Sequence, residues 1–164
     1  MTDFVTGLSD EPMSLAMDEG SHEFLYWSMK DGKIQRTELY DGQNHIKTVY
    51  DDESLSEITG LSVGFSRDPP RIFFCDPGNE RSFYKDKTGQ AVELTEYITD
   101  QDISDEKERE KLRDIQYFNG NLYWAKEDDP PGIAIMTNYD QNNRSFQLKT
   151  IPKIGKLFQL VITN

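Results

Sequence analysis

Few side chains of this chain have the type and spacing that nucleophilic or zinc chemistry needs. The two histidines, His22 and His45, are 23 positions apart, and neither has a serine or cysteine partner in a recognisable triad order. The single cysteine, Cys75, excludes an intrachain disulfide, and no neighbour in the sequence marks its thiol as acidic. Cysteine and histidine are also too sparse for zinc-ligand spacing. The sequence therefore predicts no catalytic residue, no cofactor and no metal.

Carboxylates are the abundant chemical group. The 164 residues include 30 Asp and Glu against 18 Lys and Arg, a net charge of -12. Phosphate contacts need basic surface, so nucleic acid and anionic membrane are disfavoured and a basic protein or peptide is favoured as partner. The carboxylates expected to steer such a ligand lie in predicted loops: Asp51, Asp52, Glu53, Asp76, Glu127, Asp128 and Asp129.

A repeated segment indicates which elements position these loops. Residues 25–28, 72–75 and 122–125 each read apolar, aromatic, aromatic, small, and their second aromatic positions are 47 and then 50 residues apart. Repeats of about 40 to 50 residues with strand character throughout are typical of propeller blades. The aromatic pairs are expected to pack between blades rather than to stack on a ligand: Tyr26, Trp27, Phe73, Phe74, Tyr123 and Trp124.

Hairpin signals such as Asp31-Gly32 divide each repeat into short strands. The predicted fold is all-β, a β-propeller with three four-stranded antiparallel blades and an extra C-terminal strand. Its divisions are a lead-in at 1–12, blade 1 at 13–57, blade 2 at 58–98, a charged insertion at 99–111, blade 3 at 112–151, and a strand at 152–164 that begins a further blade or closes the ring.

Most of the acidic charge is predicted to lie on one side of this disc. In a meander blade, the loops between the second and third strands and the loops between blades lie on one face, which we call the first face. The carboxylates named above all belong to such loops. A steering surface for a basic ligand and ordinary solubilising charge explain this distribution equally well.

The order of residues also resembles a known repeat. Residues 14–18, 25–28 and 34–42 read Ser-Leu-Ala-Met-Asp, Leu-Tyr-Trp-Ser and Ile-Gln-Arg-Thr-Glu-Leu-Tyr-Asp-Gly. This order resembles the YWTD repeat of the low-density lipoprotein receptor class B type, and residues 121–124 are similarly close. The final Asp of the motif is kept as Asp76, whereas Met29 and Lys126 replace it in the other copies.

The resemblance implies half of a six-bladed propeller, because six YWTD repeats close one ring and this chain holds three. It implies an extracellular or receptor-ectodomain location and a protein-binding role without catalysis. A second copy, a partner chain or a longer polypeptide would supply the other half. Residues 1–4 lack the basic and apolar regions of a signal peptide, and no apolar run has transmembrane length, so no membrane insertion is predicted.

Three functions remain open at the level of sequence. The preferred one is a non-catalytic module whose acidic loops bind a basic protein or peptide. The second is a six-bladed hydrolase of the lactonase type, in which inward carboxylates hold a metal that activates water. Only Asp114 and Asp18 are predicted to point inward, fewer ligands than such a site needs. The third is a structural subunit of a larger assembly.

Overall fold

The computed structural model describes residues 4–18, 24–40, 45–55, 57–64, 70–79, 81–85, 90–94, 112–126, 132–139 and 145–150. These residues form three four-stranded antiparallel sheets and contain no α-helix. The prediction of an all-β chain with three such sheets is confirmed. The predicted charged insertion at 99–111 and the predicted strand at 152–164 lie outside the described residues.

Each sheet is a meander in which strands pair in sequence order. Sheet 1 has β1 (Pro12–Asp18), β2 (Phe24–Met29), β3 (Lys33–Glu38) and β4 (Lys47–Asp51); sheet 2 has β5 (Gly60–Gly64), β6 (Arg71–Asp76), β7 (Arg81–Lys85) and β8 (Ala91–Glu93); sheet 3 has β9 (Leu112–Phe118), β10 (Asn121–Lys126), β11 (Gly132–Thr137) and β12 (Ser145–Thr150). A 3-10 turn, Pro77–Asn79, joins β6 to β7. The first strands of the sheets are neighbours, since β1 contacts β5 and β5 contacts β9. We call these three the inner strands.

Sheet 2 lies between the other two and is covered on both sides. Adjacent residues of a strand point to opposite faces, so the two aromatics of its repeat motif serve different interfaces. Phe74 packs in an apolar cluster with Tyr26 and Ile34 of sheet 1. Phe73 faces sheet 3 and stacks on Tyr117, with ring centroids 5.2 Å apart and an interplanar angle of 2°.

These two interfaces hold the core of the described residues. The interface of sheets 1 and 2 buries Tyr26, Ile34, Leu55, Ile58, Leu61, Val63, Ile72 and Phe74. The interface of sheets 2 and 3 buries Phe73, Cys75, Leu94, Leu112, Ile115, Leu122, Trp124, Ala134, Met136 and Tyr139. The aromatic residues in these lists supply much of the area that a chain with only 35% hydrophobic residues can bury.

One short polar chain crosses the second interface. Trp124 Nε1 donates a hydrogen bond to Ser82 Oγ over 3.1 Å, and Ser82 Oγ lies 3.3 Å from Cys75 Sγ. All three side chains are buried. Because Ser82 Oγ accepts from the indole, its own hydroxyl proton is available for the sulfur. The side-chain polar atoms of Trp124, Ser82 and Cys75 therefore all have partners.

Three loops meet on the first face. The β2–β3 hairpin contains Gly32, whose φ is +80°, and a Cβ at that position would lie 2.5 Å from the carbonyl oxygen of Asp52 in the loop from sheet 1 to sheet 2. That loop contacts the next hairpin, because Asn79 Nδ2 donates to Ser54 O over 3.0 Å. Ser28 Oγ holds the end of the same loop by donating to Ile58 O over 2.6 Å.

Candidate functional site

The described residues form a cavity of about 520 Å³ beside the inner strands, which we call the inner cavity. Of the described residues, seven apolar and four polar ones line its wall. The apolar side chains are Val5, Leu8, Pro12, Met13, Leu15, Leu25 and Trp27, and the polar ones are Ser14, Thr59, Asp114 and Gln116. Cavities of roughly 300 to 1,000 Å³ with this mixture are the usual form of a small-molecule site.

Strands β1 and β2 position the apolar wall. Leu15 is the Cα partner of Trp27, so both side chains lie on the face of sheet 1 that points away from sheet 2. The indole nitrogen of Trp27 donates to Gln35 Oε1 over 3.1 Å, which satisfies its polar atom on the sheet and leaves the ring as apolar surface. Trp27 is only 2% exposed because residues of the segment before β1 cover it.

The segment at residues 4–11 has a larger role than the predicted lead-in. Val5 and Leu8 contribute to the cavity wall. The segment is held by Lys30, whose backbone N–H donates to Glu11 O over 2.9 Å and whose Nζ lies 3.6 Å from Glu11 Oε2. The ion pair is exposed and contributes little by itself, so the backbone bond is the main anchor.

The polar corner of the inner cavity is built by close contact between β5 and β9. A Cβ at Gly60 would lie 2.9 Å from the Cα of Asp114, so only glycine lets the two strands approach this closely. Asp114 is 6% exposed, and its Oδ1 accepts the backbone N–H of Ile115 over 2.9 Å. Thr59 Oγ1 donates to Arg113 O over 3.3 Å and fixes the strand beside it. The carboxylate of Asp114 is therefore held at the cavity in a defined orientation.

The metal site of the alternative hydrolase prediction receives no support from this geometry. Asp114 lines the cavity, but Asp18, at the other end of β1, does not. Within the part of the chain that the structure describes, no three His, Cys, Asp or Glu side chains are grouped as a metal ion requires. The lone carboxylate of the cavity is suited instead to accepting hydrogen bonds or pairing with an organic cation.

The predicted acidic surface is only partly present on the first face. Asp51 and Glu53 are exposed. Asp52 is half-buried and accepts three hydrogen bonds, from Ser54 Oγ at 2.6 Å, Ser54 N at 2.9 Å and Tyr50 O–H at 3.0 Å. The bonds from Ser54, and then the bond from Tyr50, hold the pKa of Asp52 below its usual value. Asp52 therefore shapes its own loop.

A lysine lies among these carboxylates. Lys33 forms an ion pair with Asp31, and that hydrogen bond is the main cause of its raised pKa. Asp51 and Glu53 raise the same pKa through their charges. Part of the negative charge that the sequence assigns to this face is thus neutralised within sheet 1 and its loops.

The burial of Asp76 removes it from the predicted set of ligand-binding carboxylates. It is 0% exposed at the end of β6, and its Oδ2 accepts a hydrogen bond from Asn79 Nδ2 over 2.6 Å. Asn79 also binds Ser54 O, so Asp76 helps to tie a hairpin to the loop between sheets. A carboxylate without solvent contact does not steer a ligand. Glu127, Asp128 and Asp129 lie outside the described residues.

The aromatic residues of the repeat motif occupy two kinds of position. Five of them are at most 2% exposed: Tyr26, Trp27, Phe73, Phe74 and Trp124. Tyr123 is half-buried on the face of sheet 3 that points away from sheet 2. Trp27 has the one position that contacts the inner cavity. The sequence gives no sign of this difference, because all three copies of the motif read alike.

Cys75 is unsuited to nucleophilic chemistry. The thiol is fully buried, and burial raises its pKa to about 12 against a smaller opposing effect of the hydrogen bond with Ser82. The thiolate is the reactive form, so a thiol held protonated is inert near neutral pH.

The described residues also include no helix with the length and apolar character to cross a membrane.

No protein-family model matches the chain, and no curated protein matches it in sequence. In structure the chain is similar to a propeller, the selenomethionine-substituted virginiamycin B lyase from Staphylococcus aureus, with a TM-score of 0.54 and 15% sequence identity. The likeness covers 84% of this chain and 41% of that one. It supports a propeller-like fold for the three sheets, whereas the resemblance to YWTD repeats stays a prediction.

The prediction that the chain has no catalytic activity is corrected by this comparison. It depended on the resemblance to non-catalytic YWTD repeats, but the structural neighbour is named as a lyase. A propeller-like arrangement of strands is therefore compatible with an enzyme, and function has to be argued from the site.

Proposed function

We propose that the three sheets are blades of a larger propeller, and that the inner cavity binds a small, largely apolar ligand through a cationic group that pairs with Asp114. The observation that carries this proposal is the combination of a cavity of about 520 Å³, an apolar wall and one buried carboxylate. A site with an apolar body and few convergent polar groups suits small-molecule recognition.

The sign of the charge selects the ligand class. Asp114 is the one charged side chain among the residues that line the inner cavity as described. An anionic ligand would be repelled there, whereas a cation would be attracted to the carboxylate. An amine with an apolar body satisfies both parts of the cavity, because its cation reaches Asp114 while the body contacts Leu25 and Trp27.

The same carboxylate is a candidate base. A carboxylate within hydrogen-bond reach of a bound substrate can accept a proton from it. The fold shared with a protein named as a lyase supports a search for turnover of the bound ligand. The experiment therefore measures product formation as well as binding.

The test uses primary amines with aromatic or branched aliphatic bodies, each paired with the carboxylate of the same carbon skeleton. Saturation-transfer NMR should detect the amines and not the carboxylates. Asp114→Asn should weaken amine binding about tenfold to a hundredfold, because a charge-assisted hydrogen bond contributes roughly 1.5 to 3 kcal/mol. The asparagine keeps an oxygen that can accept from Ile115 N, and circular dichroism of the variant checks that the fold is kept.

Glu53→Gln is the matched control, since it removes the same charge from an exposed position. Equal loss of amine binding in the two variants would show a general attraction to an acidic protein and would overturn the proposal. Binding of amines and carboxylates alike would do so as well. Mass spectrometry of the incubated amines, with Asp114→Asn as the blank, tests for turnover.

A second candidate function is binding of a basic protein or peptide to the first face. The exposed, adjacent carboxylates of Asp51 and Glu53 favour it, although Lys33 reduces their charge. Reversing both to lysine should abolish binding of an arginine-rich peptide at low ionic strength. Unchanged affinity in that variant would eliminate the first face as the binding surface.

A further inference from the structure

Each interface between sheets uses the repeat motif in the same direction. The first aromatic of the motif points to the following sheet, as Tyr26 and Phe73 do, and the second points to the preceding sheet, as Phe74 and Trp124 do. The stack of three sheets therefore has a direction, and its two end faces differ. Its two ends carry the remaining halves of the same pattern: Trp27 at one end, which is only 2% exposed beside the segment before β1, and the half-buried Tyr123 at the other.

The face of sheet 1 that points away from sheet 2 is the leading face, defined by Leu15, Met17, Leu25 and Trp27. Register places Leu15 opposite Trp27 and Met17 opposite Leu25, so all four side chains share this face. Leu15 is 66% exposed and Met17 is 52% exposed. In β5, the leucine and valine of the corresponding face of sheet 2, Leu61 and Val63, are buried against sheet 1.

The face of sheet 3 that points away from sheet 2 is the trailing face, defined by Tyr123, Ile133 and Ile135. Tyr123 is the Cα partner of Ile135, and Ile133 is two residues earlier on β11. All three are half-buried. On sheet 2 the corresponding aromatic, Phe73, is 1% exposed because sheet 3 covers it.

We propose that two copies of this chain associate head to tail, so that the exposed part of the leading face of each, Leu15 and Met17, packs on the trailing face of the other and six blades close into a ring. The two ends differ from each other and continue the pattern of the interfaces inside the chain. Such heterologous ends form a closed ring when the rotation between units closes, and an open filament when it does not. Three blades per copy allow closure with a two-fold axis along the ring axis.

The proposal extends to the inner cavity. Leu15, Leu25 and Trp27 belong to the leading face and also line the cavity. A second copy on that face adds a wall where the single chain leaves Leu15 exposed. This inference goes beyond ligand binding, because the ring can form whether or not an amine binds at Asp114.

Net charge gives the association a distinctive salt dependence. Each copy carries a charge of -12, so two copies repel at long range. Added salt screens this repulsion, while the contact between the two end faces is apolar. Self-association should therefore strengthen with salt, the opposite of binding to a basic partner.

Sedimentation equilibrium of the full chain at 50 and 300 mM sodium chloride tests the proposal. The expected result is an equilibrium between the monomer and one larger species with twice the 19.0 kDa chain mass, and the larger species should be more populated at the higher salt. Met17→Asp on the leading face and Ile135→Asp on the trailing face should each give monomers. Tyr40→Asp is the matched control, because Tyr40 is 86% exposed in the β3–β4 hairpin and belongs to neither end face.

Mixing the two end-face variants distinguishes this arrangement from others. The Met17→Asp chain keeps an intact trailing face and the Ile135→Asp chain keeps an intact leading face, so the mixture should recover a two-chain species with one native contact. Recovery also shows that both variants are folded. A monomeric wild-type chain, open polymers, or a loss of dimer in only one of the two variants would each overturn the ring. Amine binding by the Met17→Asp monomer is measured separately.

Discussion

Gly32 and Gly120 have the same backbone conformation in different surroundings, which allows one loop contact to be measured. Their φ angles are +80° and +79°. A Cβ at Gly32 would lie 2.5 Å from Asp52 O and 3.1 Å from Leu55 O, whereas a Cβ at Gly120 would meet nothing within 4 Å. Alanine at either position is strained, but only alanine at Gly32 also pushes the hairpin away from the loop between sheets.

The free-energy cost of left-handed backbone at an alanine and the cost of its collision with the neighbouring loop can be estimated separately. Left-handed backbone costs an alanine roughly 1 to 2 kcal/mol, and the stiffer unfolded chain offsets about 0.4 to 1 kcal/mol of this. Gly120→Ala should therefore destabilise the fold by about 1 kcal/mol. Gly32→Ala adds an overpacking cost of roughly 1 to 3 kcal/mol, because its obstacle is backbone rather than a movable side chain. Its total is about 2 to 4 kcal/mol.

Urea unfolding followed by tryptophan fluorescence measures the difference. With a slope of about 2 kcal/mol per molar, the midpoint should fall by about 0.5 M for Gly120→Ala and by about 1 to 2 M for Gly32→Ala. Asparagine tolerates the left-handed region better, so Gly120→Asn should be nearly neutral while Gly32→Asn keeps the clash. Equal midpoints for the two alanine variants would refute the packing of this hairpin on the Asp52–Leu55 loop.

The remaining predictions concern two titratable groups. Cys75 should resist a thiol reagent at pH 8 until urea unfolds the chain, because burial raises its pKa to about 12; rapid labelling of the native protein would contradict that burial. Asp52→Asn should lower the urea midpoint at pH 7 and have a diminishing effect in acid. The folded pKa of Asp52 is lowered, so its contribution is present above the unfolded value of about 3.9 and is lost as pH falls through the folded pKa. A midpoint difference that does not change between pH 7 and pH 2 would count against this assignment.

The strands were predictable because their signals are local. Period-2 alternation, hairpin pairs such as Asp31-Gly32, and the aromatic motif recurring after 47 and 50 residues are all properties of short segments. Sheet pairing follows from them, since each meander connects neighbours in sequence order.

The site was predictable only in part, because it depends on contacts between distant segments. Asp114 was recognised as inward from its place in a first strand. The burial of Asp76 was missed, since it requires Asn79 to bind the carboxylate and a loop from another sheet. The cavity wall at Val5 and Leu8 was missed for the same reason, because their segment reads as a polar lead-in until it is seen beside Trp27.

The polar chain from Trp124 through Ser82 to Cys75 has a consequence for curvature. Apolar contacts are non-directional, so an interface made only of them would tolerate sliding and tilting of one sheet on the next. The bond from Trp124 Nε1 to Ser82 Oγ permits one orientation, and breaking it would strand a buried donor. Together with the hydrogen bonds from Thr59 Oγ1 to Arg113 O and from Tyr117 N to Ser62 Oγ, this tryptophan–serine pair limits the angle between the second and third sheets, and with it the radius of any ring that the chain forms.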